Sequence, residues 1–288
     1  MNNLINLLRP SHYLKNIFIF LPLFFSGQIT LIDKSLNALI AFIAFSLSAS
    51  AIYIFNDLKD LKDDKIHPVK KLRPLASGLV DQKIAIFLMI LLICISLGIM
   101  ITVSKESLVI LIIYISLNLV YSLGLKKISI LDIIIISTGF VLRLFVGSFA
   151  YNVKLEIWIV IMTFLLALFI ALGKRRDDAL ILKSTKKKMR KSIDGYNLKL
   201  IDSSMLVLAA IIIVSYIQFS ISLETIIKFN EYLYLTTIFV IFGIIRDMQL
   251  VFVKNTSGDP GEIILKDKVI QINLLIWLST FIWIIYFF

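Results

Sequence analysis

Long uninterrupted apolar runs dominate the pattern of this 288-residue chain. Each run has about 17–23 residues, which is the length an α-helix needs to cross a bilayer core of ~30 Å. The runs do not alternate polar and apolar positions, as the strands of a membrane barrel would. The pattern therefore predicts an all-α integral membrane protein. Its nine predicted transmembrane helices are 16–32, 36–55, 84–103, 107–124, 128–150, 156–173, 201–222, 232–250 and 269–288.

Composition agrees with this pattern. Hydrophobic residues make up 59% of the chain and the mean hydropathy is +0.94, whereas soluble domains contain ~45–50% apolar residues. No stretch is long and polar enough for a separate soluble domain. We expect one transmembrane domain over 1–288, with an aspartate-rich loop at 56–83 and a second polar loop at 174–200.

The distribution of positive charge predicts the orientation in the membrane. Most of the 30 Lys and Arg residues fall on one side of a nine-helix arrangement, and the net charge is +11. Cation-rich loops stay in the cytoplasm, so we expect a multi-pass protein of the plasma (inner) membrane whose polar cap and active site face the cytoplasm. In a membrane protein such charge indicates topology and anionic lipid or phosphate partners, and no nucleic-acid partner is expected. The oligomeric state is left open, a homo-oligomer included.

The first polar cluster follows the second apolar run. If that helix continues, four oxygen-bearing side chains fall on neighbouring parts of one face. Like charges at this spacing repel one another, so the face needs a cation, and clustered hard oxygen ligands suit Mg²⁺. The pattern predicts a Mg²⁺ site, with nearby cations that contact a diphosphate directly; the alternative is a solvated charged loop. The predicted metal ligands are Asn56, Asp57, Asp60 and Asp64.

A second polar cluster, GKRRDD at 173–178, leaves the sixth apolar run. Its cations alone would be an ordinary topology signal, but Asp177 and Asp178 make a second acidic site. Two acidic clusters at one membrane level resemble a paired clamp for a metal and a diphosphate. The polar segment 174–200 is basic and either closes over a substrate or binds anionic headgroups through its cations at 186–188, 190 and 191.

Two ionisable residues, Asp132 and Arg143, lie inside the fifth apolar run. Charges at that depth usually face a cavity or a partner. We expect Arg143 to line a polar cavity, the alternative being a structural pairing with another helix. Lys15 and Lys126 are interfacial anchors when considered singly, and part of an unusually cationic mouth when considered together.

These motifs resemble a known family. The pattern N-D-x-x-D-x-x-x-D followed by HPVKKLRPLASG resembles the first aspartate-rich motif of the UbiA superfamily of intramembrane prenyltransferases. The segments RPSHYLKN, SASAIYIFND, GKRRDD, RKSIDGY and GDPGEIILKDKVIQ are similar to its polyprenyl-phosphate (decaprenyl-phosphate type) phosphoribosyltransferase branch. Two departures stand out. GKRRDD replaces the D-x-x-x-D motif of ring-prenylating members, and Asp178 stands where the branch usually has Glu.

The resemblance implies a UbiA-like helical bundle and a defined reaction. The donor would be 5-phosphoribosyl 1-diphosphate (PRPP), the acceptor a membrane polyprenyl phosphate, the cofactor Mg²⁺ and the released group diphosphate, in the synthesis of cell-envelope glycan precursors. The catalytic candidates are Asp57, Asp60, Asp64 and Asp178. The substrate-binding candidates are Lys15, Tyr53, Asn56, Lys70, Arg73, Lys126, Arg143, Lys174 and Arg175.

Two other functions compete with this prediction. A UbiA-type enzyme could instead move a prenyl group from its diphosphate to an aromatic or other small acceptor. A non-enzymatic transporter or channel is the third option, but transporters place charges near mid-membrane on broken helices, whereas nearly all charge here is predicted at one mouth.

Overall fold

The computed structural model of this chain describes residues 2–29, 31–66, 69–186, 188, 190–253 and 267–287. Within those ranges every regular element is helical. The α-helices are α1 (Asn2–Leu8), α2 (Leu21–Phe25), α3 (Ile32–Lys59), α4 (Leu61–Ile66), α5 (Gln82–Val103), α6 (Lys105–Leu123), α7 (Leu131–Ala150), α8 (Ile157–Thr185), α9 (Leu198–Ile221), α10 (Leu223–Lys228), α11 (Thr237–Phe252) and α12 (Lys268–Tyr286). Five 3₁₀ helices join them, at Pro10–Phe20, Lys70–Leu72, Leu125–Lys127, Lys191–Gly195 and Glu231–Thr236.

The chain divides into two compact units. Unit 1 comprises residues 1–126 and 138–156, and unit 2 comprises residues 127–137 and 157–288. Helix α7 contributes its first turns to unit 2 and the rest to unit 1. The expected single domain over 1–288 stays a prediction.

Unit 1 is organised around α3, which packs against α5, α6 and the first 3₁₀ helix. Its buried face is rich in Ala and Ser, including Ala41, Ala44 and Ser48. Small side chains let membrane helices approach closely. At one such approach the Ser96 hydroxyl of α5 donates to the Ala44 carbonyl over 2.6 Å. This packing fixes the end of α3, where the acidic cluster begins.

The first predicted span, 16–32, is not one α-helix. Its sequence forms the end of an 11-residue 3₁₀ helix, then the short helix α2 and a turn at Gly27. Pro22 falls at the start of α2, where its missing N–H is tolerated. This segment packs closely because Gly147 has no side chain: a Cβ there would lie 2.0 Å from the Ile19 carbonyl oxygen. The Tyr151 hydroxyl also donates to that carbonyl.

Unit 2 is built on the pair α8 and α9, with α11 packed on α9 and α12 on α11. Its core contains Phe169, Leu172, Ile201, Met205 and Ile212, all nearly inaccessible. The apolar faces of the helices supply this core, and their outward faces remain hydrophobic, as lipid contact requires.

Seven of the described helices are long and apolar enough to cross a membrane. They contain α3, α5, α6, α7, α8, α9 and, with the 3₁₀ turn before it, α11; α12 has a shorter apolar stretch at Lys268–Ile284. The all-α membrane class is therefore confirmed. The count of nine spans and the cytoplasmic position of the polar cap stay predictions.

Both predicted polar loops contain helical residues. Helix α8 continues 12 residues past 173, through GKRRDD to Thr185. At 56–83, α3 ends at Lys59 and α4 follows with only Asp60 between them. Predicted metal ligands therefore lie on two successive helices rather than on one continued helix.

Candidate functional site: two acid–cation networks

The first network lies in unit 1 at the end of α3. Asp57 and Asp64 are both buried, and one nitrogen of Arg73, Nη1, contacts the two carboxylates at 2.9 and 2.6 Å. Arg9 donates from Nη2 to both oxygens of Asp57, at 2.6 and 2.7 Å. Lys70 lies 3.9 Å from Asp64. Two carboxylates therefore share three cations drawn from two separate segments, at residue 9 and at 70–73.

The other two predicted ligands form a second pair. Lys126 donates from Nζ to both oxygens of Asp60, at 2.6 and 2.7 Å, and to the Asn56 side-chain oxygen at 3.0 Å. The structure thus divides the predicted four-residue face into Asp57 with Asp64 and Asn56 with Asp60. Asn56 and Asp57 lie on α3, Asp60 is the single residue between the helices, and Asp64 lies on α4.

Metal binding at this network is a question of donor chemistry. Amide and carboxylate oxygens are suitable ligands for Mg²⁺, which usually takes one or two carboxylates and completes its shell with water and substrate phosphates. No three acidic, His or Cys side chains converge as a metal cage among the residues that the structure describes. Asp57 and Asp64, already bridged by one cationic nitrogen, fit the two-carboxylate mode. The Mg²⁺ prediction therefore remains open to test.

Arg9 is the residue of this network that the sequence analysis missed as a site residue. It counted only as a topology cation. Its guanidinium also lies over the Tyr53 ring, 5.1 Å from the centroid, and Tyr53 packs edge-on against His12. The available signal was its position in RPSHYLKN, but nothing in spacing links it to a carboxylate 48 residues away.

Arg143 has an internal role in unit 1. It is buried, and it donates to the Asn16 side chain, the Gly139 carbonyl and the Tyr114 hydroxyl over 2.8, 2.7 and 3.3 Å. Its guanidinium also lies near the rings of Phe45, Tyr114 and Phe140. These contacts correspond to the structural alternative. The predicted substrate contact stays untested, as does that of Lys15, which lies half-buried on the first 3₁₀ helix.

The second network lies in unit 2 and centres on Asp132, in the first turn of α7. This carboxylate is fully buried. It accepts hydrogen bonds from Arg175 Nε at 2.7 Å, the Ser192 hydroxyl at 2.9 Å and the Tyr196 hydroxyl at 2.7 Å. The Ile130 N–H donates to the same Tyr196 oxygen over 2.7 Å. Asp132 thus joins three side chains by hydrogen bonds and is not an isolated charge within the membrane.

The DGY segment at 194–196 closes this network. A Cβ on Gly195 would lie 2.2 Å from the Ser129 hydroxyl oxygen, so the loop reaches this position only without a side chain. Ser129 in turn donates to the Ser192 carbonyl over 2.6 Å. Burial, more than the bond to Asp132, raises the pKa of Tyr196 well above its ordinary value. Its hydroxyl therefore stays protonated and donating at physiological pH.

The GKRRDD side chains divide between core and surface. Arg175 is almost completely buried, with its Nη1 3.3 Å from Asp178. Arg190 donates to the same Asp178 oxygen over 2.9 Å from the polar loop. Arg176 binds Asp202 and the Val251 carbonyl. Asp178 is partly exposed, whereas Arg175 is shielded by its partners; the catalytic role of Asp178 stays a prediction. Lys174 is half-buried.

Comparison with known proteins connects these networks to a family. A model of the UbiA prenyltransferase family matches residues 17–260. This chain belongs to the UbiA prenyltransferase family. It is therefore a transferase and a multi-pass membrane protein, and the UbiA resemblance of its motifs is confirmed.

Two relatives share the similarity over nearly their whole lengths. A Mycolicibacterium smegmatis protein named decaprenyl-phosphate phosphoribosyltransferase is 31% identical, covering 100% of this chain and 93% of the relative. A Corynebacterium glutamicum protein of the same name is 28% identical, covering 99% and 87%. A solved structure of a UbiA homolog from Archaeoglobus fulgidus, bound to DMAPP and Mg²⁺, has a TM-score of 0.71 at 16% identity and covers 99% of each chain. That likeness confirms the UbiA fold.

Proposed function

We propose that this UbiA-family chain transfers the 5-phosphoribosyl group of PRPP to a membrane polyprenyl phosphate of the decaprenyl type and releases diphosphate. The observation that carries the proposal is the end-to-end similarity, at 31% identity, to a relative named for that reaction. We place the reaction in cell-envelope glycan precursor synthesis.

The charges of unit 1 support a substrate pair rich in phosphate. The donor brings a diphosphate and a 5-phosphate, and the acceptor adds another phosphate. Arg9, Lys70, Arg73 and Lys126 surround the carboxylates of the first network. A prenyl diphosphate and a neutral acceptor would need fewer cations, because they carry fewer anionic groups.

We assign the metal to the oxygen ligands of this network. Asn56, Asp57, Asp60 and Asp64 would hold Mg²⁺, with Asp57 and Asp64 as the shared pair. When bound, the ion supplies neutralising charge for the departing diphosphate.

The protein groups position and stabilise the reacting atoms. Lys70, Arg73 and Lys126 are part-exposed cations that can turn from carboxylates to phosphate oxygens. Lys15 and Tyr53 are further candidates for the ribose and its phosphate. The acceptor oxygen is already anionic, so it needs orientation more than a general base. Once they contact the phosphates, these cations provide most of the catalytic effect by electrostatic stabilisation.

Within unit 2, Lys174 stays a substrate-binding candidate and the partly exposed Asp178 a catalytic candidate. The burial of Arg143 and Arg175 supports positioning roles for both, with no direct phosphate contact. We place the whole reaction at the cytoplasmic face of the plasma membrane, in agreement with the distribution of Lys and Arg along the sequence.

A second candidate is prenyl transfer to a small acceptor. The observation that favours it is the fold likeness to a UbiA homolog bound to DMAPP and Mg²⁺. Both reactions use a diphosphate donor and a metal, so the first network would serve either one.

The deciding experiment uses the purified full chain in lipid nanodiscs with radiolabelled PRPP, decaprenyl phosphate and Mg²⁺. We expect label in the extracted lipid, and none when EDTA is added. Consumption of geranyl diphosphate with an aromatic acceptor, without ribosyl transfer, would replace the proposal with the prenyl-transfer function.

A further inference from the structure

The ion pair between Arg9 and Asp57 has an unusual backbone. Arg9 adopts φ 54° and ψ 59°, a left-handed conformation, immediately before Pro10. Side chains other than Gly rarely occupy this region, and a following proline disfavours helical conformations further. Strained residues persist where surrounding contacts hold them, often at functional sites. Here Arg9 contacts the Asp57 carboxylate and the Tyr53 ring.

Both carboxylate oxygens of Asp57 already bond to guanidinium groups. Its Oδ1 accepts from both Arg9 and Arg73, while its Oδ2 accepts from Arg9. The carboxylate is only 2% exposed, whereas the Arg9 side chain is 18% exposed. A divalent cation arriving at Asp57 and Asp64 would therefore meet guanidinium groups of like charge. Arg73, which is 26% exposed, bridges Asp57 and Asp64, whereas Arg9 pairs with Asp57 from a left-handed backbone that can relax when it leaves. Arg9 is therefore the cation that can leave.

We propose that Arg9 is an exchangeable counter-ion: it neutralises Asp57 in the ligand-free chain and moves to the diphosphate oxygens when a divalent cation takes the carboxylate. This inference rests on the proposed function for the kind of donor, a metal-bound diphosphate ester. The planar guanidinium suits both partners, because it pairs with carboxylate and phosphate in the same bidentate manner. Loss of the Asp57 contact also frees Arg9 to leave its left-handed conformation.

The exchange makes a prediction that a fixed structural salt bridge does not. If Arg9 competes with metal for Asp57 and later binds phosphate, its removal must help one ligand and harm the other. Arg9→Gln should bind a divalent cation alone more tightly, since a repelling charge is gone. The same variant should bind the metal–diphosphate complex more weakly, since a phosphate contact is gone.

The test measures both affinities on the purified full chain in nanodiscs. Electron paramagnetic resonance of bound Mn²⁺ measures the affinity for the metal alone. Calorimetry with inorganic diphosphate in excess Mg²⁺ measures the affinity for the metal–diphosphate complex. For Arg9→Gln we expect a Mn²⁺ affinity about tenfold higher and a diphosphate affinity about tenfold lower, the size of one charge-assisted contact. The exposed Lys62 of α4 gives the control Lys62→Gln, which should leave both affinities unchanged.

A conservative variant keeps the proposal testable if Arg9→Gln folds poorly. Arg9→Lys retains the charge but not the bidentate geometry, so Mn²⁺ affinity should stay low while diphosphate affinity falls by a smaller factor. If Arg9→Gln changes neither affinity, or if it lowers both together, Arg9 is a structural residue and the proposal is wrong.

This outcome is separable from the fate of the proposed function. Opposite shifts in the two affinities, in a protein that fails to transfer ribosyl phosphate, would support the exchange and refute the phosphoribosyl reaction. Normal ribosyl transfer by the wild type, with unchanged affinities in Arg9→Gln, would do the reverse.

Discussion

The acidic networks of the two units differ in what surrounds their carboxylates. In unit 1, the buried Asp57 is bound by Arg9 and Arg73, whose side chains are 18% and 26% exposed. In unit 2, the buried Asp132 is bound by Arg175, which is 2% exposed, and by Ser192 and Tyr196. Part-exposed cations can exchange partners with water or substrate at modest cost, whereas buried partners cannot. The cations of the first network can therefore exchange partners, whereas Arg175 in the second network stays with Asp132.

The largest effect is expected from a variant of the second network. Asp132→Ala would leave the Arg175 guanidinium buried without its main counter-ion, which typically costs about 3–5 kcal/mol. We expect a clear loss of thermal stability in detergent, measured by the unfolding of purified protein. The control is Asp194→Ala, which removes an exposed pair with Lys188 and should cost less than about 1 kcal/mol. Equal stability of the two variants would contradict the role of Asp132 in joining these side chains.

The next largest effect is expected on catalytic activity, from a variant of the first network. Asp64→Asn removes a charge shared by Arg73 and Lys70, and we expect ribosyl transfer to fall by about a hundredfold or more, equivalent to about 2.7 kcal/mol. Stability should change less than in Asp132→Ala, because the freed cations can reach water.

The chain provides a matched control for that variant. Asp63 precedes Asp64 on α4 but is exposed, so Asp63→Asn should retain near-normal transfer. Comparable losses in both variants would indicate a general charge effect instead of a specific site.

A smaller effect is expected where backbone approach decides the structure. Gly195→Ala would place a Cβ 2.2 Å from the Ser129 hydroxyl oxygen and 2.6 Å from its Cβ. Overpacking of this kind costs about 1–3 kcal/mol. Because both clashing atoms belong to Ser129, the double variant Gly195→Ala with Ser129→Gly should recover part of the stability. No recovery would mean that the DGY loop is held by other contacts.

The smallest effect isolates one hydroxyl of the second network. Tyr196→Phe keeps the ring but leaves the Ile130 N–H and one Asp132 oxygen without this partner, at a cost of about 1–2 kcal/mol. Thermal unfolding should detect this shift, while metal-alone binding at the first network should not change. A larger loss than for Asp132→Ala would contradict the ranking of the two residues.

Much of the fold followed from the sequence because lipid imposes one strong rule. Every backbone polar group in a membrane must be bonded internally, so long apolar runs become helices. The runs at 36–55, 84–103 and 107–124 correspond closely to α3, α5 and α6. The run at 16–32 did not become one helix, since its shape depends on tertiary contacts such as the approach of Ile19 to Gly147. Hydropathy contains no information about such a contact.

For the candidate site, the sequence by itself determined which residue types are present: oxygen-bearing side chains at Asn56, Asp57, Asp60 and Asp64, with cations nearby. Only the tertiary structure decided the pairing. It joined Asp57 to Arg9 and Arg73, Asp60 to Lys126, and Asp132 to Arg175 across 43–66 residues of chain, or 16 in the case of Arg73. Local periodicity governs which residues share a helix face, but partners from distant segments meet through packing. Burial then distinguishes the part-exposed cations Arg9 and Arg73 from the buried Arg175. Burial is a property of the folded chain.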